Sequence, residues 1–461
     1  MKTPLVFPDG YRKRRIQNWM LVGLLYSFFY MSRYNFSALG PTLLDTFGWA
    51  KSDLGVLETA MPFVYGLSVL VNAPLADRIG GRKAFLIGAC GVVVLNLVFG
   101  LFHYAVLAPP VYTGEGAARV LTTPAQIAWG LTPPQLAYVL SGVWAINAYF
   151  QSFGALSIVK INAQWFHISE RGTFAAIFGI LIRLGLIFAF SGVPLIAQSL
   201  PWYWGFWIPA GGVALLGLLN YFFVAESPED AGFATVDTGD ADDDDGKEVR
   251  IADVVKKVLT SRPMWTIAIA SVMIGFVRRS IVDSWWPAYF KEIHHVGGSD
   301  TLYQATAWSI AIAGIIGGFV LGPLSDRVFQ SRRAPVVVIG FAGMAVMLCV
   351  FYASDALGLG GVGACASLAV LSFFVNGSHG MIGGAASMDF GGKRGAATAA
   401  GLFDGMQYFF AAPFTGYLVG QITQNYGWQV WKLWPVPFAI VGAAVMATLW
   451  NVTPRRRGGG H

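Results

Sequence analysis

Long apolar stretches and short polar ones alternate along the whole chain. Runs of mostly apolar residues occupy 17–38, 54–76, 84–107, 135–160, 172–197 and 203–225, then 264–288, 302–325, 334–354, 360–387, 396–420 and 430–451. Each is near the roughly 20 residues that cross hydrocarbon as a helix. The pattern predicts an all-α integral membrane protein with twelve transmembrane helices in two pseudo-symmetric groups of six. Helices satisfy their own backbone groups, and a chain in lipid has no other partner for them. The expected divisions are a six-helix half at 1–225, an acidic linker at 226–262 and a second half at 263–461. The linker carries Asp237, Asp240 and Asp242 to Asp245. It reads as solvated chain with a short amphipathic helix near Ile251–Leu259, and an acidic run of this kind is a weak metal site. Residues 108–134 hold Pro109-Pro110, Pro124 and Pro133-Pro134, and read as a long loop acting as lid or decoration.

Composition agrees with the pattern. Of 461 residues, 55% are hydrophobic and 12% charged, where a soluble domain carries about 25% charged. The mean hydropathy is +0.56. Cys90, Cys349 and Cys365 lie in apolar runs without ligand spacing. The net charge of +6 is no nucleic-acid signature, because the basic residues segregate by loop. Lys2, Arg12 to Arg15, Arg78, Arg82, Lys83, Lys160, Arg171, the basic residues between Lys247 and Arg262, Arg327, Arg332, Arg333, Lys393, Arg394 and Arg455 to Arg457 fall on one side. Only Lys51, Arg119, Lys291 and Lys432 fall on the other. That bias places both termini in the cytoplasm, with an uncleaved first span in a cell (inner) membrane.

The two halves repeat each other. Ala73-Pro74-Leu75-Ala76-Asp77-Arg78 returns as Gly322-Pro323-Leu324-Ser325-Asp326-Arg327, and Arg33 returns as Arg278, at offsets of 249 and 245. Glu170-Arg171-Gly172 returns as Lys393-Arg394-Gly395 at an offset of 223. The shortfall matches the 108–134 segment, which therefore reads as an insertion. Six-helix repeats with a site at their interface are the build of alternating-access transporters. Asp77, Arg78, Arg82, Asp326 and Arg327 read as a cytoplasmic latch, an Asp and basic residues tying neighbouring helix ends.

The Asp77 to Lys83 stretch resembles the loop between helices 2 and 3 of the major facilitator superfamily. Six further stretches resemble the organophosphate:phosphate antiporters, the family of the glycerol-3-phosphate and hexose-phosphate transporters. These are Tyr30 to Phe36, Asn147 to Gln151, Trp165 to Gly172, Glu226 to Gly232, Arg278 to Asp283 and Pro287 to Glu292. In that family one arginine on helix 1 and one on helix 7 bind the substrate phosphate, and the resemblance carries those roles to Arg33 and Arg278. Three groups that the family often has are missing. Val69 stands for a helix-2 lysine, Ile182 for a helix-5 histidine and Ala311 for a helix-8 acid, and Arg183 stands one residue beyond Ile182.

Several polar residues interrupt the spans. A charge in a span costs several kcal/mol unless it meets water or a partner. Arg33 shares a helix face with Tyr26, Tyr30 and Ser37, fit to line a cavity, and guanidinium offers phosphate a planar fork. Arg278 and Arg279 point about 100 degrees apart. Asp283 follows Arg279 by four, so the α-helical reading pairs Asp283 with Arg279 and leaves Arg278 for substrate, the reverse assignment staying open. Arg183 is a third anion contact or pairs with Glu58 or Asp404. Glu58 and Asp404 are candidate proton carriers, and Asp404 is a candidate counter-charge. His379 is a candidate titrating group or a packed histidine. Trp144, Asn147, Tyr149, Gln151, Trp285 and Trp286 are candidate walls.

No metal-ligand spacing, P-loop or nucleophile elbow is present, so no cofactor, metal or enzyme activity is expected. The expected function is secondary transport of small organic anions, exchanging an organophosphate for inorganic phosphate, by a monomer in the lipid bilayer. The alternatives are a proton- or sodium-coupled carboxylate or phosphonate symporter and a non-transporting sugar-phosphate sensor.

Overall fold

The computed structural model describes residues 7–114, 120–167, 170–234, 236, 260–330, 332–382 and 401–452. The expected helix at Ile251–Leu259, the Asp237 to Asp245 run and Lys393-Arg394-Gly395 lie outside them, as do the side chains of Asp77 and Arg171. The apolar runs become α1 (Tyr11–Phe47), α2 (Lys51–Ile79), α3 (Gly81–Leu101), α4 (Pro133–Trp165), α5 (Arg171–Ile187, continued by Phe188–Gly192 and Val193–Ser199) and α6 (Trp204–Phe223). After the linker come α7 (Arg262–Ile293), α8 (Thr301–Arg327), α9 (Arg333–Ala356), α10 (Gly360–Gly380), α11 (401–425) and α12 (Gly427–Ala447). Nine helices among the described residues are apolar enough to cross a membrane. α1, α4 and α11 are not among them. In α1 and α4 the length is ample, so polar residues lower the hydropathy.

Sequence decides where helices start and stop. α1 ends at Gly48, whose φ of 66° lets its N–H return to the Leu44 carbonyl, a left-handed cap that glycine adopts without strain. α4 starts at a capping box: Thr132 Oγ1 accepts from Gln135 N at 3.5 Å, and Gln135 Oε1 accepts from Thr132 N at 2.9 Å. Pro133 and Pro134 fill first-turn positions, where a missing N–H is harmless. Buried amides then join helices. Asn18 donates to the Ala225 carbonyl at 3.1 Å and accepts from its N–H at 2.8 Å, while Asn35 donates to Asn96 at 2.9 Å and to the Gly205 carbonyl at 3.1 Å. Such bonds hold helices where apolar contact alone distinguishes poorly between protein and lipid.

The segment between α3 and α4 is more ordered than the expected loop. β1 (Val106–Ala108) pairs antiparallel with β4 (Gln126–Ile127), and β2 (Val111–Thr113) with β3 (Val120–Thr123). The ribbon seats on the end of α1. Pro110 stands where a side chain on Gly48 would be, and Tyr112 Oη donates to the Leu44 carbonyl at 3.5 Å.

At the end of the bundle nearest the N-terminus, Glu226 caps α3. Its carboxylate accepts from Gly81 N at 2.6 Å and Arg82 N at 3.3 Å, a favourable place for negative charge. Gly80 (φ 92°) must be glycine, since a Cβ would lie 2.6 Å from that carboxylate. The Arg82 guanidinium donates to the Tyr221 carbonyl. Arg78 is exposed in the last turn of α2. In the repeat, Asp326 pairs with Arg333 at 2.6 Å across the α8–α9 turn, with Arg327 beside it in the last turn of α8.

The far end is fastened between the first and last six helices. Lys51 pairs with Glu292 and Lys291 with Asp45, at 2.7 and 2.5 Å. Below these pairs α2 and α11 meet backbone to backbone. A Cβ on Gly66 would lie 2.6 Å from the Gly405 carbonyl oxygen and 2.7 Å from Phe409 N. Gly66→Ala is therefore expected to loosen this end. With cysteines at Lys51 and Glu292, cross-linking by a short bifunctional thiol reagent should fall several-fold. An unchanged yield would mean that the two helices need not approach closely.

Candidate functional site

Four arginines inside the spans divide by how they are compensated. The division is set on α7 by a π turn at Arg278–Val282, closed by Asp283 N donating to the Arg278 carbonyl at 2.9 Å. A π turn adds one residue per turn, so residues five apart share a face. Asp283 accordingly accepts from Arg278 Nε at 2.8 Å. The expected Arg279–Asp283 pairing, which assumed regular α-helical spacing, is thus corrected. Trp431 Nε1 donates to the Ser280 carbonyl inside the turn at 2.8 Å.

Arg279 turns instead to Glu58 of α2, with Nη2 at 3.7 Å. Glu58 also accepts from Ser37 of α1 at 2.5 Å and Ser284 of α7 at 3.0 Å. Glu58 and Arg279 are buried, and they join the two groups of helices two turns below the Lys51–Glu292 pair. Arg183 donates to Asn376 of α10, in place of an acid.

Each nitrogen of the Arg278 guanidinium has a partner. Besides Asp283, it donates to Gln407 at 3.2 Å, to Tyr408 Oη at 2.7 Å, and from Nη1 to His379 Nε2 at 3.1 Å. Asp404 Oδ1 stands 3.9 Å from the same histidine nitrogen. Arg33 is different. It is 2% exposed, yet among the described residues its acceptor is one amide oxygen, Gln151 Oε1, at 3.3 and 3.4 Å. The rest of its environment is aromatic: its guanidinium carbon lies 4.8 Å from the Tyr30 ring centre and 4.4 Å from that of Tyr65. A desolvated cation–π contact is worth about 2 kcal/mol. Arg33 Nη1, Gln151 Nε2 and Asn147 Nδ2 are all buried without an acceptor among the described residues. Asn147 and Gln151 are one turn apart on α4, so the wall around Arg33 has spare N–H donors.

The two arginines flank a tyrosine pair. Tyr65 of α2, over Arg33, lies 4.9 Å from Tyr408 of α11, which accepts from Arg278. Tyr26 packs on Tyr30 at 5.1 Å between ring centres, and Tyr34 Oη donates to Asp283 at 3.4 Å. Trp285 donates its only N–H to the Thr415 carbonyl at 2.8 Å, so it is held within the last six helices. Trp144 packs between Phe36, Phe99 and Phe206, and Trp286 against Phe190 and Tyr303. Tyr65, Gln407, Tyr408 and Asn376 were not singled out from sequence. Asp404, Gln407 and Tyr408 follow the three- and four-residue spacing of one helix face, a signal that could have found two of them.

The sequence profile of the Major Facilitator Superfamily matches residues 22–415. The chain belongs to this superfamily. Major facilitator structures share its fold: the xylose transporter XylE from E. coli superposes with a TM-score of 0.69 at 14% identity, covering 97% of this chain and 100% of that one. A bacterial homologue of the lysosomal transporter Spinster gives 0.68 at 15%, covering 96% and 98%. Among curated relatives, the glycerol-3-phosphate transporter of Bacillus subtilis (strain 168) is 26% identical over 97% of this chain and 94% of its own. A probable hexose phosphate transport protein of Chlamydia trachomatis is 24% identical over 98% and 94%. The membrane sensor protein UhpC of Salmonella typhimurium is 25% identical over 91% and 87%. This major facilitator protein is a multi-pass membrane transporter, and its relatives and fold are not those of enzymes.

The Glu58–Arg279 pair has a stability consequence. Glu58→Gln leaves a buried guanidinium with Nε and Nη1 already unpartnered, which costs about 3–5 kcal/mol for a buried pair. In detergent its thermal midpoint should fall well below wild type, and adding Arg279→Met should recover most of the loss. A Glu58→Gln protein as stable as wild type would show that Arg279 does not depend on this carboxylate.

Proposed function

We propose that this transporter exchanges an organophosphate, of the sugar or glycerol phosphate type, for inorganic phosphate by alternating access. The observation that carries the reading is the surplus of N–H donors around Arg33, which suits an oxyanion with several acceptor oxygens. A phosphate ester brings about −1.5 to −2 charges at neutral pH. Arg278 supplies the second contact from the other group of helices, exchanging Tyr408 and His379 for substrate oxygens. Asn147, Gln151, Tyr30 and Tyr26 line the first contact, and Arg183 stands close enough to α10 to serve as a third.

Obligatory exchange follows from the charge. Without substrate, Arg33 is held by one amide and two rings, and drawing the two sets of helices together around it is unfavourable. With phosphate between Arg33 and Arg278, charge-assisted bonds join both sets. The loaded carrier then changes face more readily than the empty one, and solute gradients supply the energy. On this reading the basic loops face the cytoplasm, the Lys51–Glu292 end faces outward, and Asp77, Arg78, Arg82, Asp326 and Arg327 work as the inner latch. The likeness to UhpC favours one second reading, a sensor that binds sugar phosphate without net flux.

The test is uptake of labelled phosphate into proteoliposomes with and without internal phosphate. Uptake should require internal phosphate and be competed by unlabelled phosphate esters. Arg33→Lys and Arg278→Lys keep the charge and lose the planar fork, so each should weaken apparent affinity by about one to two orders of magnitude, the range of a charged hydrogen bond. Binding without flux would select the sensor. No binding and no exchange by folded wild type would overturn the reading.

A further inference from the structure

His379 stands where the two sets of charges meet. Its Nε2 faces Arg278 Nη1 at 3.1 Å and Asp404 Oδ1 at 3.9 Å. A guanidinium has only N–H groups to offer, so Nε2 is the acceptor and the imidazole is neutral in this state. The ring proton is then on Nδ1, which is buried with no partner among the described residues. Among the described residues, the charged and titratable groups around the ring come from three helices. α7 brings Arg278 with Asp283, α11 brings Asp404 and Tyr408, and α5 brings Arg183, bonded to Asn376 one turn before His379.

The charge count at this site points to a function for the ring. Among the described residues Arg33, Arg278 and Arg183 face Asp283 and Asp404, which leaves one net positive charge. Arg279 and Glu58 cancel each other. A phosphate dianion exceeds that single charge by one. Resting on the organophosphate reading above, we propose that His379 is the proton-binding residue of the carrier, and that it sets the charge state in which phosphate is taken. Substrate draws Arg278 Nη1 off Nε2. The freed lone pair accepts one proton from bulk water, forming an Nε2–H bond and leaving hydroxide to the buffer. The imidazolium donates to a phosphate oxygen or to Asp404. The loaded site is then neutral, and the same proton accompanies an ester or inorganic phosphate in either direction.

The experiment is titration calorimetry of purified protein with glycerol 3-phosphate at pH 8, in two buffers of different ionisation enthalpy. An ester with a second pKa of about 6 is then almost wholly dianionic, so any proton taken up goes to the protein. Wild type should take up about one proton per ligand bound. His379→Gln should take up none and bind about tenfold more weakly. Asp404→Asn removes the opposing charge and should bind the dianion with little or no uptake. Zero uptake by wild type, or uptake of one proton in both variants, would overturn the proposal. If His379→Gln does not bind, Asp404→Asn decides: lost uptake supports the proposal and retained uptake overturns it. Failure of folded wild type to bind either glycerol 3-phosphate or inorganic phosphate would instead remove the functional reading beneath it.

Discussion

Burying a guanidinium in an apolar bundle is the constraint to which the middle of this structure answers. Among the described residues three arginines are less than a tenth exposed, and each is compensated differently. Arg279 has a carboxylate that two serines also hold. Arg278 has a carboxylate and three further acceptors. Arg33 has one amide oxygen and the faces of two tyrosines. Removing a cation from water costs several kcal/mol even after relaxation, and aromatic faces return only part of it. The unmet remainder therefore collects at Arg33. A ligand rich in acceptor oxygens relieves it, an anion most of all, and the spare donors of Asn147 and Gln151 add acceptor-seeking groups on the same wall.

Which arginine receives which carboxylate is a backbone decision. On a regular helix Asp283 would lie over Arg279. The π turn at Arg278–Val282 rotates the chain by the width of one residue, moves Asp283 over Arg278 and sends Arg279 toward α2. It also opens a carbonyl, at Ser280, that Trp431 closes. The same insertion thus fixes Arg278 against its own helix and provides a buried ion pair between the two groups of helices.

Much of the architecture was legible because hydrophobic burial in lipid leaves a coarse, long-period mark. Twelve apolar runs anticipated the long helical stretches, although Pro133-Pro134, read as the end of the preceding loop, form the first turn of α4. Arg33, Arg278 and Gln151 stood out because polar groups in such runs are rare. What was not legible depends on local irregularity or on partners far apart in sequence. A π turn leaves no periodic signature in five residues, so the Asp283 pairing was misassigned. The β1–β4 ribbon is short and proline-punctuated, and its pairing spans a poorly patterned tip. Tyr65 and Tyr408 are ordinary aromatic residues of apolar helices until α2 and α11 are brought together.

That meeting of α2 and α11 connects the site to the movement of the bundle. The two helices touch through backbone at Gly66 and Gly405, and through the Tyr65–Tyr408 pair. The first contact admits almost no adjustment, because no side chain cushions it. The second lies between Arg33 and Arg278. A ligand that takes Arg278 from Tyr408 Oη and His379 therefore acts on the helix that also carries the rigid contact. Opening the far end has to separate the same pair of helices, together with Lys51–Glu292, Lys291–Asp45 and Glu58–Arg279. Losing the buried Glu58–Arg279 pair without compensation is costly, and on the proposed function an anion reached by both arginines supplies it. The charges at the centre and the seal at the far end are thus two parts of one equilibrium, carried by α1 and α2 on one side and by α7 and α11 on the other.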